Sequence, residues 1–428
     1  MIVFSLFTPK IKVFLFSLLF LFLPTQLGKH FWPSFAFVYG QRIDYLSPTL
    51  YITDLLAILC IFTSIKSSKN IPYVKISLLM LFLSIGVFFS KNPLAGWYGI
   101  AKLLEFIFLG FSLKNFFKES PTHISLLAIL LSFGVFFESV LAVVQFLVQH
   151  SVGGILYLFG ERTFSGTTPG IANVSLYHQL ILRPYATFSH PNVLAGYLLI
   201  SMLLMLSVFA RVSKEMKTFL LFSIMVGSLA LFLSLSRLAI FLWILICIAI
   251  FLHYLYQKRK AKRVLVLGAI FLIIAIFICF LSPLSERFLQ TNLLNESVTS
   301  RIELMQVSLS LWQSHILFGV GFDNFLTNVP LGFSPNGHTV LLQPVHNIFL
   351  LVLSETGLGG LVFFFVFLWH AIKHLIHRLQ TQSMQKTHII FLIITFVSSL
   401  LLGMEDHYLF TLQQGQLLFT VVLSLILV

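Results

Sequence analysis

Residues 344–370 read PVHNIFLLVLSETGLGGLVFFFVFLWH, an apolar stretch that follows a polar segment beginning near Glu286. This pattern predicts a long loop that runs into a membrane-spanning helix with His346 at its mouth. At 1.5 Å and 100° per residue, Gly357 would lie roughly 16 Å deeper than His346 and about 20° from its face. Gly360 would lie about 40° away on the other side. Small residues on one face allow a neighbouring helix to approach the backbone closely.

The composition is that of a membrane protein. Apolar residues make up 58% of the 428 residues and charged residues only 10%, against about 25% charged residues in soluble domains. Because apolar runs recur along the whole length, we expect an all-α fold. It would be one integral membrane domain, residues 1–428, with about 12 membrane-spanning helices and short helices capping a large extracytoplasmic loop. The predicted spans are 13–28, 49–65, 76–90, 99–113, 122–149, 191–210, 218–235, 237–256, 264–282, 346–370, 388–404 and 412–428.

The distribution of Lys and Arg predicts the orientation of these spans. Eighteen basic residues fall in the segments on one side of the membrane and eight in the segments on the other. Because basic residues concentrate on the cytoplasmic side, this distribution places both termini in the cytoplasm. The net charge of +13 then reflects orientation and attraction to lipid headgroups, and we expect no nucleic acid partner. The longest loops, about 150–190 and 283–345, would be extracytoplasmic, and the second is long enough to fold as a cap.

Six of the eight extracytoplasmic basic residues are arginine, which suits bidentate contacts to phosphate or carboxylate groups. An anionic substrate would explain their position, whereas Arg162 and Arg287 could equally pair with nearby glutamates. We expect no metal site and no cofactor, because no carboxylate pair, CxxC, HExxH or P-loop stands in a suitable context. Three cysteines lie inside apolar runs and are expected to be small packing residues: Cys60, Cys247 and Cys279.

His346 and Arg237 are the candidate catalytic residues. An imidazole at a helix mouth, titrating near neutrality, suits general-base chemistry on a hydroxyl. The alternative is a histidine that only caps its helix. Arg237 begins an apolar run, and an arginine at membrane depth costs roughly 2.5–3.5 kcal/mol, so it needs a partner. A bound phosphate would serve, as would Glu355 or backbone carbonyls.

A second anion site is indicated where Arg183 leads into the sequence TFSHPN at residues 187–192. Pro191 fits the first turn of a helix whose free N–H groups, flanked by His190 and Asn192, would attract an anion. Arg301 could join this site or pair with Glu303. Two acids complete the survey: Glu355, nine residues from His346, should face another helix, and Asp406 is a weaker acid candidate.

Taken in order, these residues resemble the O-antigen ligase/polymerase superfamily. The resemblance covers about residues 180–370. Its elements are Arg183 with the TFSHPN run, Arg237 after SLS, Arg301 followed by Trp312, a turn with Gly319 and Gly321, and His346-Asn347 with ten residues before Gly357. The ligase branch has an Arg-x3-Leu motif, and here Phe241 stands at the leucine position.

The resemblance implies metal-independent, inverting transfer of a glycan from a polyprenyl diphosphate carrier to an acceptor hydroxyl. The reaction would take place on the extracytoplasmic face of a bacterial inner membrane, with a lipid A-core or another surface glycan or lipid as acceptor. His346 would be the base, with Asn347 beside it. Arg237, Arg301 and Arg183 would bind the diphosphate.

Two other readings remain open at this point. Within the superfamily, the chain could polymerise repeat units or transfer oligosaccharides to protein. From a different class, it could be a polytopic transporter, since twelve spans are common there. The charges, however, gather at one surface, and the sequence has no matched pair of broken helices.

Overall fold

The computed structural model of the chain describes residues 8–64, 71–176, 179–256, 296–330, 342–382 and 385–428. The predicted span 264–282, with Cys279, lies outside the described residues. So do the basic run 258–263, residues 283–295 with Glu286 and Arg287, and residues 331–341.

Each of the eleven predicted spans that fall in the described residues coincides with a helix, although the edges differ by several residues. The helices are α1 Pro9–Leu21, α2 Ile52–Ser64, α3 Tyr73–Phe88, α4 Pro93–Glu119, α5 Pro121–Val148, α6 Pro191–Val208, α7 Lys214–Leu233, α8 Arg237–Tyr256, α9 Glu296–Ser314, α10 Ile348–Thr381, α11 Lys386–Glu405, α12 Tyr408–Thr411 and α13 Gln413–Ile426.

The described part of the chain is a helical membrane protein. Six of its helices are long and apolar enough to cross a membrane, namely α4, α5, α6, α7, α10 and α11. Four more apolar helical stretches are 10–17 residues long: α2, α3, α13 and residues Arg237–His253 of α8. A membrane crossing needs about 20 residues, so the predicted number of 12 spans is not confirmed.

Helix α6 is the centre of the bundle. It packs against α5, α7, α8, α11 and α13, and 83% of the residues in its most apolar 18-residue stretch are buried. A helix that is apolar on all sides is expected to be buried in this way. Pro191 is its first residue and His190 its N-cap, so the predicted start of this helix is confirmed.

The two ends of the bundle differ in chemistry. We call one the site end: here α6, α8 and α10 begin and α11 ends, and Asn347 contacts the carbonyl of Met404. We call the other the far end: here Arg378, late in α10, contacts the carbonyls of Leu425 and Ile426 at the end of α13.

Short antiparallel hairpins lie at the site end. In the described residues β1 Gly28–His30 pairs with β4 Thr49–Tyr51, β2 Phe37–Val38 with β3 Gln41–Arg42, and β5 Asn173–Leu176 with β6 Gln179–Leu182. In its described part, the predicted loop 283–345 contains α9, a helix of 19 residues, and a short 3-10 helix, Leu326–Asn328; α9 packs against α10.

Helix α10 is broken at Gly357, which has φ 64° and ψ −166°. The chain before it, residues 316–321, lies backbone to backbone against the break. Val320 and Gly321 donate to the carbonyls of Ser354 and Glu355 at 2.9 and 3.0 Å, and the N–H of Leu358 donates to Ile316 at 2.8 Å. The predicted continuous face below His346 is therefore wrong: a loop, and not a neighbouring helix, makes the close approach.

A buried ion cluster joins α2, α4 and α13. Lys102 contacts Asp54 at 2.7 Å and Glu105 at 2.9 Å, and the amide of Gln413 donates to Asp54. The sequence placed Lys102 inside a span without predicting these partners. Their pairing explains how a lysine is accommodated at this depth.

Candidate functional site

Asn347 fixes the start of α10 and the position of His346. Its Oδ1 accepts hydrogen bonds from the N–H groups of Phe349 and Leu350 at 2.9 and 3.0 Å, and its Nδ2 donates to Met404 at 3.1 Å. This is a side-chain N-cap that also ties α10 to the end of α11. His346 lies just before the cap and outside the helix, so it does not cap α10 itself.

His346 is grouped with Asp406 and His407, which follow α11. One ring nitrogen of each histidine and one carboxylate oxygen of Asp406 all lie within 4.8 Å of one another. The rings of His346 and His407 meet edge to face with centroids 5.2 Å apart. Nδ1 of His346 is buried and has no hydrogen-bond partner in the described part of the chain. Buried polar atoms without a partner are rare, and a catalytic role or a bound water or ion is the usual explanation for one.

A chain of hydrogen bonds links Arg183 to this group. Its Nη2 donates to Oδ1 of Asn192 at 2.8 Å, and Nδ2 of Asn192 donates to Oδ2 of Asp406 at 3.2 Å. Nε of Arg183 donates to the carbonyl of Ser234, before α8, at 2.8 Å. Arg183 is only 6% exposed. It therefore holds the starts of α6 and α8 and the end of α11 together.

His190 completes the start of α6. Its Nδ1 accepts a hydrogen bond from the N–H of Asn192 at 3.1 Å. This bond requires that the neutral ring carries its proton on Nε2. One of the free N–H groups that we expected to attract an anion is thus capped by the protein itself.

Arg301 approaches the group from α9. Its Nη1 lies 3.5 Å from Oε1 of Glu405, and the two side chains are 35% and 31% exposed. The alternative partner Glu303 is not the one that it contacts. A half-exposed pair of this kind is weak, at about 0–1 kcal/mol, and leaves the guanidinium available to a stronger anion.

Arg237 is the first residue of α8 and is half-buried. No hydrogen bond or ion pair joins it to another described residue, neither to His346 nor to Glu355. The structure places it three residues after Ser234, whose carbonyl binds Arg183. Its link to the histidines is therefore indirect.

Burial and charge set the protonation of the group. Burial lowers the pKa of His346; Asp406 opposes this shift and Arg301 adds to it. Burial lowers the pKa of His407 to about 4 and, together with Arg183, that of His190 to about 3. Burial would raise the pKa of Asp406, but the surrounding histidines and the Asn192 amide outweigh it and lower the value to about 2. At neutral pH the site thus holds neutral imidazoles beside one carboxylate.

Three of the predicted structural glycines shape the loop 316–321 and the break in α10. Gly319 and Gly357 have φ 65° and 64°, and a side chain on either would clash with the facing backbone. Gly321, with φ 100°, lies against Ser90. A side chain at Gly360 would first meet Thr356 of its own helix.

Glu355 is structural, as predicted, but it faces this loop and not another helix. Its carboxylate accepts hydrogen bonds from the N–H groups of Asp323 and Phe325 at 3.1 and 3.2 Å. Burial raises the pKa of Asp323, and the charge of Glu355 adds to the increase.

A divalent cation is compatible with the spacing of His346, Asp406 and His407, although the sequence predicted no metal site. The group has two histidines and one carboxylate, a donor set that several transition metals accept.

A cleft of about 420 Å³ opens at the site end, between the β2–β3 hairpin and the start of α4. Tyr39 and Gly40 form the hairpin turn, and both have positive φ, 53° and 78°. The Tyr39 hydroxyl donates to the carbonyl of Val329 at 2.7 Å. The cleft is lined by Ser34, Phe35, Phe37, Val38, Tyr39, Lys91, Asn92 and Thr327.

Sequence reasoning missed His407 and ranked Asp406 low. A signal was present, because Glu405, Asp406 and His407 form a compact polar run between two apolar segments. Nothing in the sequence alone indicated that this run would meet His346, 60 positions earlier.

The fold and this group of residues define a helical membrane protein with a histidine, carboxylate and arginine site at one end of its bundle. A family model described as O-antigen ligase matches residues 220–365, which include Arg237, Arg301 and His346. The match covers about a third of the chain, and over that segment the chain is similar to the O-antigen ligase family, as the sequence motifs indicated. No curated protein matches the chain.

Proposed function

We propose that the protein is a glycosyltransferase that moves a glycan from a polyprenyl diphosphate carrier to an acceptor hydroxyl. The observation that carries this proposal is the unpartnered, buried Nδ1 of His346 next to Asp406, with Arg301 close enough to act on its pKa. The proposal also places the site end on the extracytoplasmic side and both termini in the cytoplasm, following the Lys and Arg distribution.

In the reaction, the acceptor oxygen attacks the anomeric carbon and forms the new glycosidic bond. The bond from that carbon to the diphosphate oxygen breaks, and its electron pair leaves with the diphosphate. The acceptor proton passes to neutral His346, whose lowered pKa keeps it unprotonated at neutral pH. Attack from the side opposite the leaving group inverts the anomeric centre.

Arg301 would stabilise the departing diphosphate. Its present partner, Glu405, is half-exposed and displaceable, so a diphosphate with more charge would compete for the guanidinium. Half-buried Arg237 has no partner among the described residues and is the second candidate for this contact. Cationic stabilisation of a leaving diphosphate can replace a metal ion.

Arg183 would act differently from the role that we predicted. It is 6% exposed and engaged by Asn192 and Ser234. We therefore propose that it positions Asn192 and Asp406, and through them the histidines, and that it does not bind the diphosphate directly.

The cleft beside the β2–β3 hairpin is our candidate subsite for sugar residues. Its aromatic side chains offer apolar faces, and Ser34, Asn92 and Thr327 offer hydrogen-bonding groups. Its volume lies in the usual range for small-molecule sites. The same extracytoplasmic segment carries Tyr45, which packs edge to face on His407 at 5.4 Å, so sugars in the cleft would extend toward the proposed base.

The test is a transfer assay with purified protein in liposomes, a lipid-linked glycan donor and an added acceptor. We expect His346→Ala and Arg237→Ala to abolish transfer while expression and membrane insertion stay normal, and Lys214→Ala, a change at an exposed lysine on the predicted cytoplasmic side, to retain it. Near wild-type turnover in both site variants would refute the site.

The same assay separates the alternatives. Chain growth on lipid-linked repeats without added acceptor would identify a polymerase, and strict dependence on acceptor a ligase. Movement of the substrate across the liposome membrane by His346→Ala, with no transfer by the wild type, would identify a transporter.

A further inference from the structure

The far end of the bundle contains a group of cationic and histidine side chains, which we call the far-end basic cluster. Its members come from α4, from the turn after α6, and from α10 and α11. Arg211 acts electrostatically on both Arg378 and His388, and Lys114 acts on His374. The cluster comprises Lys114, Arg211, His374, Arg378 and His388.

Two members are deeply buried and incompletely bonded. Arg378 is 4% exposed; its Nη1 donates to the carbonyls of Leu425 and Ile426 at 2.8 and 3.0 Å, but its Nε has no partner among the described residues. His388 is 2% exposed, and the polar group that acts on its ring is the backbone of Ser207, at a geometry looser than a normal hydrogen bond. Nε2 of His374 is buried and has no partner in the described part of the chain.

Helix capping explains only part of this arrangement. The two carbonyls at the end of α13 account for one nitrogen of Arg378. They do not account for its Nε or for His388. Unsatisfied buried donors are rare in proteins, and several in one place indicate a ligand that is bound in the native setting.

Among the described side chains, no carboxylate pairs with the cluster. The charged groups that act on Arg378 and His388 within the described residues are cations. Two acids of this end are engaged elsewhere: Glu119 pairs with Lys12, and Glu215 is fully exposed and bonded to its own helix start through Ser213. A buried cation without a counter-charge is unfavourable, so an anion bound from outside the protein would stabilise the cluster.

We infer that the far-end basic cluster binds the phosphate of an anionic lipid headgroup. Arg211 is exposed and borders the buried members, so it offers a phosphate a route from the membrane surface. The guanidinium groups match phosphate oxygens, and the ring nitrogens of His388 and His374 can donate to them. With the predicted topology, this end faces the cytoplasmic leaflet, where anionic lipids attract basic residues. The inference does not depend on the proposed transfer reaction.

The test is native mass spectrometry of the full-length protein from nanodiscs of phosphatidylcholine with and without phosphatidylglycerol. We expect phosphatidylglycerol to remain bound to the wild type. Arg211→Gln and His388→Gln should each reduce its retention, the first by about fivefold, the effect of one basic residue near an anionic surface. Arg378→Gln serves as a third variant, and the first two keep the test valid if its buried change disrupts folding.

Lys373→Gln is the matched control, because it removes the same charge from an exposed position on α10. If Lys373→Gln lost as much bound phosphatidylglycerol as Arg211→Gln, the lipid would be held by diffuse surface attraction, and the inference would be overturned. Equal retention of both lipids by the wild type would overturn it too. A third outcome is that the wild type retains no phosphatidylglycerol but is protected against thermal unfolding by inorganic phosphate in phosphatidylcholine nanodiscs. The ligand of the cluster would then be free phosphate, and the lipid inference would be wrong.

Discussion

Replacing Asp406 by asparagine tests whether this carboxylate sets the basicity of His346. The change keeps the side-chain shape, but the amide has one oxygen, so it can accept a hydrogen bond from Asn192 or from the N–H of His407, which now bond to different oxygens of Asp406. The change removes one negative charge whose oxygen lies within 4.8 Å of a His346 nitrogen. That charge raises the pKa of His346 against the effect of burial. Its loss must therefore lower the pKa further.

The magnitude follows from Coulomb's law. At this separation a unit charge contributes roughly 0.9 kcal/mol in water and roughly 3.5 kcal/mol at an effective dielectric constant of about 20. The pKa of His346 should thus fall by about 0.6 to 2.5 units. Because His346 is a base only when neutral, the acid limb of kcat/KM should move to lower pH by the same amount. At neutral pH the weaker base should slow transfer, by no more than the ~10²–10⁴-fold contribution of a general base.

The assay is kcat/KM for transfer from a lipid-linked glycan, measured across the acid range in detergent or liposomes. Asp44→Asn is the control, since this exposed carboxylate near the site acts on Tyr45 and not on His346. It should leave the acid limb where it is. An unchanged acid limb in Asp406→Asn, with an unchanged thermal unfolding midpoint, would refute the proposed coupling.

Three further predictions concern other contacts. Glu405→Gln frees Arg301 and should lower the KM for the donor, at most about fivefold because the pair is half-exposed. Gly357→Ala should destabilise the protein by roughly 2–4 kcal/mol, from its positive φ and the clash with the facing backbone. Gly166→Ala, at an open position, should be neutral in the same thermal unfolding measurement. Lys102→Met leaves two buried carboxylates without their cation and should cost about 3–5 kcal/mol of stability.

Each of these predictions has a contrary outcome. A higher donor KM in Glu405→Gln would mean that the pair holds Arg301 in its working position. Equal unfolding midpoints for the two glycine variants would show that the break in α10 carries no constraint. Lys91→Met, an exposed lysine just before α4, is the control for Lys102→Met, and equal effects of the two would contradict the buried-cluster argument.

Much of the fold could be predicted because membrane helices consist of continuous apolar runs, which are visible in the sequence. The same is true of local signals: Pro191 marks the start of α6, and Asn347 follows the rule for N-caps. Arg183, His190 and Asn192 were predicted as a group since they are close in sequence and precede one helix.

The remaining features depend on contacts between distant segments. Asp406 and His407 reach His346 because α11 ends beside the start of α10, which no periodicity in the sequence encodes. Arg301 pairs with Glu405 and not with Glu303 because the end of α11 lies close to α9, which the sequence does not show either. The break at Gly357 also escaped prediction, because a glycine within an apolar run fits a helix as readily as a turn.

The broken helix α10 has a mechanical consequence. Backbone hydrogen bonds join residues 316–321 to both sides of the break, to Ser354 and Glu355 before Gly357 and to Leu358 and Gly359 after it. When a bilayer thickens or thins, a helix responds by tilting. Here a tilt of the portion after Gly357 would pull on the loop 316–321, because that loop is bonded to both sides of the break and follows α9, which carries Arg301. Turnover should accordingly differ between short-chain and long-chain lipid bilayers.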